Sequence, residues 1–172
     1  MKNYVISIFI ILTATYNSAA QSQYLILNDS AHNNSKIFKG IINKSDLTNE
    51  SSFNWYAESK QIYNPDTSIV NALRNNANKI DFIIFGGTWC DDTQFILPKF
   101  FKIQEASGFP ENRITIFAVD RNKTTTGNIA QAMNITNVPT IIVMKNGKEL
   151  GRVVEYGKTG KWDKELADII NE

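Results

Sequence analysis

The period of the apolar positions changes along this chain, and each change marks the boundary of an element. Phe82-Ile83-Ile84-Phe85 is a continuous apolar run, the signature of a strand covered on both faces, and Gly86-Gly87 ends it. A helical pattern from about Asp92 to Ala106 follows, closed by Gly108 and Pro110. Ile114 to Val119 reads as the next buried strand and Ile129 to Met133 as a short helix. Thr140 to Met144 and Leu150 to Val154 are two strands joined across Asn146-Gly147, a dipeptide suited to a tight hairpin turn. Trp162, Leu166, Ile169 and Ile170 give the last helix one apolar face.

The first half of the chain is patterned less regularly. Gln21 to Ser35 is polar and reads as an irregular lead-in, within which Tyr24-Leu25-Ile26-Leu27 is a possible first strand; Ile37 to Ile42 is a second. Ser51 to Tyr63 fits a helix with Phe53, Tyr56 and Ala57 on one side, ended by Asn64-Pro65. Asp66 then reads as the N-cap of another helix carrying Ile69, Ala72, Leu73 and Ala77. From Phe82 on, strands alternate with helices until the hairpin. That order implies an α/β fold with a mixed sheet, parallel where helices cross over, antiparallel at the hairpin, with helices on both faces.

Residues 1–20 have the layout of a secretory signal. Lys2 supplies positive charge, Tyr4 to Thr15 an apolar stretch, and Ser18-Ala19-Ala20 small residues before Gln21. The stretch is shorter than the roughly 20 apolar residues that span a bilayer, so no stable membrane anchor is expected after cleavage. About 150 residues then remain, enough for one domain with a substantial core. The expected layout is a signal peptide over 1–20, an N-terminal extension over 21–65 and the main domain over 66–172.

Composition narrows the chemistry. A net charge of +1, spread along the chain, provides no basic patch for nucleic acid. One cysteine, Cys90, cannot form an internal disulfide, so an exported domain of this sequence must be stable through its core. The single histidine, His32, lies far from Cys90 in an Asn-rich stretch, so there is no spaced Cys/His cluster for zinc and no metal or cofactor is expected. Asn-x-Ser/Thr triplets such as Asn122-Lys123-Thr124 reflect an asparagine-rich composition.

The segment Gly86-Gly87-Thr88-Trp89-Cys90-Asp91-Asp92-Thr93 leaves a buried strand and enters a helix, with the thiol at the junction. Unpaired N–H groups and the helix dipole favour an anion there, and the thiolate is the nucleophile of disulfide exchange. Asp91 and Asp92 oppose ionisation of that thiol. Two carboxylates alone are too few oxygen ligands for a hard cation.

Trp89, Cys90 and Pro98 resemble the active-site pattern of the thioredoxin family, Trp-Cys-x-x-Cys at a strand-to-helix turn with a proline later in the helix. Val138-Pro139-Thr140, opening a strand that ends in Lys145-Asn146-Gly147-Lys148, resembles that family's cis-proline strand and hairpin. The likeness spans about Asp66 to Glu172. The stretch from Trp55 through Gly86-Gly87-Thr88-Trp89-Cys90 to Val119-Asp120-Arg121 looks like a group of exported bacterial thioredoxin-like proteins. The resemblance implies a thioredoxin-like fold, a reactive Cys90 backed by Pro139, and a substrate held by Trp89, Val138 and Pro139.

Two departures qualify what carries over. Thr93 stands where the family has its resolving cysteine, so an external thiol would have to complete any exchange. Ile84, six positions before Cys90, stands where the family has a buried acid. The expected function is that of a monothiol thiol-disulfide oxidoreductase in the cell envelope, periplasmic or secreted, acting on protein or small-molecule thiols and disulfides. In it Cys90 attacks and the Thr93 hydroxyl hydrogen-bonds the sulfur. The alternative is a redox-inactive module that binds extended peptides in the same groove. A peroxide-reducing enzyme would require an arginine and a hydroxyl beside Cys90, which the sequence does not identify. Each residue also has a plainer reading: Cys90 as a small buried hydrophobe, Trp89 as cover for the core edge, Pro98 as a helix kink.

Overall fold

The computed structural model describes residues 23–31 and 35–172. The expected signal segment and His32 lie outside them. Six strands form one sheet: β1 (Tyr24–Asn28), β2 (Lys36–Ile42), β3 (Ile80–Gly86), β4 (Ile114–Ala118), β5 (Thr140–Lys145) and β6 (Lys148–Val154). Their spatial order is β1-β2-β4-β3-β5-β6. Among the described residues only β3 and β4 run parallel, with Phe85 opposite Phe117; every other pairing is antiparallel. The helices are α1 (Lys44–Thr48), α2 (Asn54–Gln61), α3 (Thr67–Asn75), α4 (Asp91–Ser107), α5 (Ile129–Ala132) and α6 (Trp162–Ile170).

Alternation along the central strands sorts their side chains onto two faces. Phe82, Ile84, Ile116, Ala118, Ile141 and Val143 enter the larger core with residues of α1, α2, α3, α4 and α6. Phe85 and Ile142 enter the smaller one, against Ala130 of α5 and with Ile83 and Phe117 packed at its margin. Helices therefore cover both faces, as the pattern implied, but among the described residues five lie on one side and only the four-residue α5 on the other. Phe82 anchors the larger core, with Phe100 and Phe109 edge-on at 5.1 Å each. Ile84 is fully buried among apolar side chains, so no acid stands beneath the thiol at that position.

Local signals explain the helix ends. Asp66 caps α3, its carboxylate accepting from Ser68 N–H at 2.7 Å. Gly108, at φ +69°, ends α4 in the left-handed conformation, its N–H and that of Phe109 turning back to Glu105 and Gln104 carbonyls. The helix expected over Ser51–Tyr63 is shorter, confined to Asn54–Gln61. Helix α1 was not anticipated: Asn43 and Asp46 form a reciprocal capping box on a five-residue helix that buries only Leu47.

The lead-in is more ordered than its polarity suggests. Tyr24–Asn28 pairs antiparallel with β2, Ile26 opposite Phe38, so this N-terminal hairpin extends the same sheet as the rest of the chain. The Tyr24, Phe38 and Phe53 rings pack in series at 4.8 and 5.0 Å.

Lys39 on β2 reaches Asp120 beyond β4 at 2.7 Å and Thr124 Oγ1 at 2.6 Å. Burial opposes ionisation of Asp120, but hydrogen bonds from the Lys39 and Thr124 side chains and the Thr124 N–H, with the Lys39 charge, bring its pKa down to about 2. A carboxyl depressed on folding contributes stability above its unfolded value that disappears as pH falls through the folded one. Stability should therefore decline from about pH 3.8 towards about pH 2, and Asp120→Asn should flatten that part of a urea-unfolding profile measured against pH. An unchanged profile would show that Asp120 does not couple the hairpin to the sheet.

Candidate functional site

The thiol is placed by strand pairing. The carboxyl end of β3 lies beside the amino end of β5, with Phe85 opposite Thr140. Residues just after β3 therefore meet residues just before β5. Cys90 is the N-cap of α4, partly exposed, and its Sγ–H donates to the Val138 carbonyl at 3.1 Å. The Val138-Pro139 peptide bond is cis, and both residues are buried. Cys90, Trp89, Val138 and Pro139 thus come together, 48 residues separating the sulfur from the carbonyl it faces.

Helix α4 is 17 residues long, and its first N–H groups point towards Cys90, an arrangement that favours negative charge at the sulfur. Three features act the other way. The thiol donates its hydrogen bond to a carbonyl, and Asp91 and Asp92 place negative charge in the first turn of the helix. Tyr156 lies beyond β6: burial, followed by hydrogen bonding with Asp92 and the charges of Asp92, Cys90 and Asp91, holds its hydroxyl above the usual phenol range. Its ring lies 5.7 Å from that of Phe95 on α4.

Trp89 lies at the margin of the smaller core. Its indole N–H donates to the Val119 carbonyl at 2.9 Å, and its ring packs against the smaller core. Gly87 permits this approach, because a Cβ there would come within 2.7 Å of the indole. On the far side a cavity of about 190 Å³ lies among Asp29, Ser52, Trp55, Thr88, Asp91 and Gln94.

Thr93 does not do what was expected of it. It is 1% exposed, its Oγ1 accepts from Gly87 N–H at 3.2 Å, and among the described residues no hydrogen bond joins it to the Cys90 sulfur. The rotation of α4 turns the third residue after Cys90 inward against the end of β3, where its methyl group also packs on Gly86. Thr93 thus closes the strand-to-helix turn from inside.

Arg121 was missed as a site residue. It lies just beyond β4, its guanidinium 5.0 Å from the Trp89 ring centroid, and Cys90 and Asp91 both act on it electrostatically. The sequence signal was its place in Val119-Asp120-Arg121, tied to the Trp89-Cys90 segment by family resemblance alone, with no role attached. Thr88 was also missed: it is buried, accepts from Phe38 N–H at 3.1 Å and donates to the Lys36 carbonyl at 2.9 Å.

Removing the Thr93 hydroxyl leaves a buried N–H without its acceptor, at a cost of about 1–3 kcal/mol. Thr93→Val should lower the urea midpoint accordingly while Thr93→Ser restores it. The alkylation rate of Cys90 should stay near wild type in both; a selective loss of thiol reactivity in Thr93→Val would instead give the hydroxyl a direct part in the chemistry.

The thioredoxin family model matches residues 65–172, more than half of the chain. Thioredoxin H2-2 of rice (Oryza sativa subsp. japonica) is 32% identical over 83 residues, which is 48% of this chain and 58% of the rice protein. Thioredoxin-1 of Saccharomyces cerevisiae is 31% identical over 77 residues, 45% of this chain and 69% of the yeast protein. The chain thus spans little more than half the length of the rice relative. Among solved structures, a Pseudomonas aeruginosa protein of unknown function superposes with a TM-score of 0.53 over 75% of this chain and 89% of its own; at 15% identity that likeness concerns the fold. With the Trp-Cys turn at the start of α4, the cis-proline beside its thiol, and a family model covering both, the chain belongs to the thioredoxin family.

Proposed function

We propose that this protein is a monothiol thiol-disulfide oxidoreductase of the cell envelope, periplasmic or secreted, that forms mixed disulfides through Cys90. The observation that carries this reading is a partly exposed cysteine at the start of a long helix, its sulfur 3.1 Å from the carbonyl that precedes a cis-proline. The proposed location rests on the apolar stretch near the N-terminus.

In the reaction the Cys90 thiolate attacks one sulfur of a substrate disulfide. A bond forms between Sγ and that sulfur as the substrate S–S bond breaks, and the departing sulfur leaves with the electron pair and takes a proton from solvent. Trp89, Val138 and Pro139 border the position of the bound chain. Because Thr93 carries no thiol, a second thiol from a protein or a small molecule must attack the mixed disulfide, restoring Cys90 and leaving the new disulfide on the partner.

A second reading has one observation in its favour. The thiol is engaged by the Val138 carbonyl beside two carboxylates, and Phe95, Val154 and Tyr156 are exposed apolar side chains. A redox-inactive module binding extended peptides would use the same surface.

The two differ in the reactivity of one atom. If the oxidoreductase reading is right, purified protein should react with a neutral alkylating agent several-fold faster than an unstructured cysteine peptide across neutral pH, and Cys90→Ser should abolish exchange with a model disulfide. A rate equal to or below that of the peptide, with peptide binding retained in Cys90→Ser, would leave the binding module as the function.

A further inference from the structure

Residues ahead of the segment matched by the family model reach into the site at two points. Thr88, two residues before Cys90, is pinned to β2 through Phe38 and Lys36. Asp29, in the turn after β1, has a side chain only 1% exposed, and its two carboxylate oxygens accept from Arg121 Nε at 2.9 Å and Nη2 at 2.7 Å. A two-bond fork between planar groups fixes orientation as well as distance. It holds the guanidinium 5.0 Å from the Trp89 ring centroid, within cation–π range. Trp89 is the residue next to the thiol, and the Cys90 and Asp91 charges both act on Arg121.

The Arg121 side chain is 37% exposed, so the orientation that the fork helps to set decides how far its charge is directed towards Trp89 rather than into water, where it is screened within roughly 10 Å. Asp91 and Asp92 open α4 beside Cys90, and Tyr156, from beyond β6, is coupled electrostatically to Asp92, Cys90 and Asp91. Both carboxylates repel an approaching anion, and Arg121 opposes them.

We propose that Asp29 and Arg121 are positioning residues for Cys90: the Asp29 carboxylate clamps the guanidinium over Trp89, and the N-terminal hairpin thereby sets how readily anionic groups approach the sulfur. The consequence for substrates, a preference for disulfides and thiols bearing a carboxylate near the sulfur, rests on the oxidoreductase reading; the clamp itself does not.

Cys90 is the protein's only cysteine, so alkylation reports on it alone. The measured quantity is the ratio of its second-order rates with iodoacetate, an anion, and iodoacetamide, which is neutral, near neutral pH and at low ionic strength in the full chain. Both reagents consume the thiolate, so the thiolate fraction cancels and the ratio reads the local field. Arg121→Gln should lower the ratio roughly two- to five-fold, and added salt should erase the difference. Asp29→Asn should lower it in the same direction, the double variant should match Arg121→Gln alone, and Arg121→Lys, which keeps the charge but loses the fork, should fall between.

An unchanged ratio in Arg121→Gln overturns the proposal. So does an Asp29→Asn ratio at or above wild type, because Asp29 would then act as a bare charge or not at all. If circular dichroism shows that Asp29→Asn does not fold, Arg121→Lys decides: a ratio equal to wild type means that charge alone suffices and the clamp is not needed. A wild-type rate no faster than that of a peptide thiol is a separate result, which counts against the oxidoreductase reading and leaves the ratio measurable.

Discussion

The antiparallel pairing of β3 with β5 is the constraint on which the site depends. It sets Phe85 against Thr140, and from that register the turn after β3 and the residues before β5 fall side by side. A slip of one residue would reverse the faces of β5, sending Ile141 and Val143 out of the larger core and moving the Val138 carbonyl away from Cys90. The apolar side chains that hold the register are therefore also what brings sulfur and carbonyl within 3.1 Å. Packing and site geometry are one problem here, solved by β3 being buried on both faces.

Around that fixed point the N-terminal hairpin acts as a buttress. Its strands continue the sheet past β4, its Lys39 reaches Asp120, and its backbone bonds Thr88 in the loop that carries the thiol. Helix α4 supplies partial positive charge at Cys90, whereas Asp91, Asp92 and the bond to Val138 oppose it. Arg121 is the cation that the loop after β4 adds to this balance. The site is thus electrostatically contested, unlike a thiol flanked only by cations.

Much of the fold was legible because its signals are local. Phe82 to Phe85 announces a doubly covered strand, Asn146-Gly147 a tight hairpin, Asp66 and Gly108 the ends of helices. The juxtaposition of Cys90 with Val138-Pro139 was legible only through the resemblance to a known family, since periodicity says nothing about which strand ends meet. What escaped depends on tertiary arrangement. Arg121 meets Asp29 across 92 residues of sequence, because β2 pairs with β4, and no pattern along the chain encodes that neighbour. Thr93 was recognised by type but not by its hydrogen-bond partner, because the angular position of a residue on α4 relative to the end of β3 decides whether its hydroxyl meets sulfur or Gly87 N–H. Helix α1 escaped because one turn with a single buried leucine has no period to detect.

The central claim is that an accessible sulfur with no second thiol behind it exchanges with disulfides and then waits. Intact mass spectrometry of the full chain, incubated with a small symmetrical disulfide and then freed of it, tests this directly. The account predicts one adduct on Cys90 that persists until an external thiol is added and is then lost. Absence of any adduct, under conditions in which an unstructured cysteine peptide exchanges fully, would contradict it.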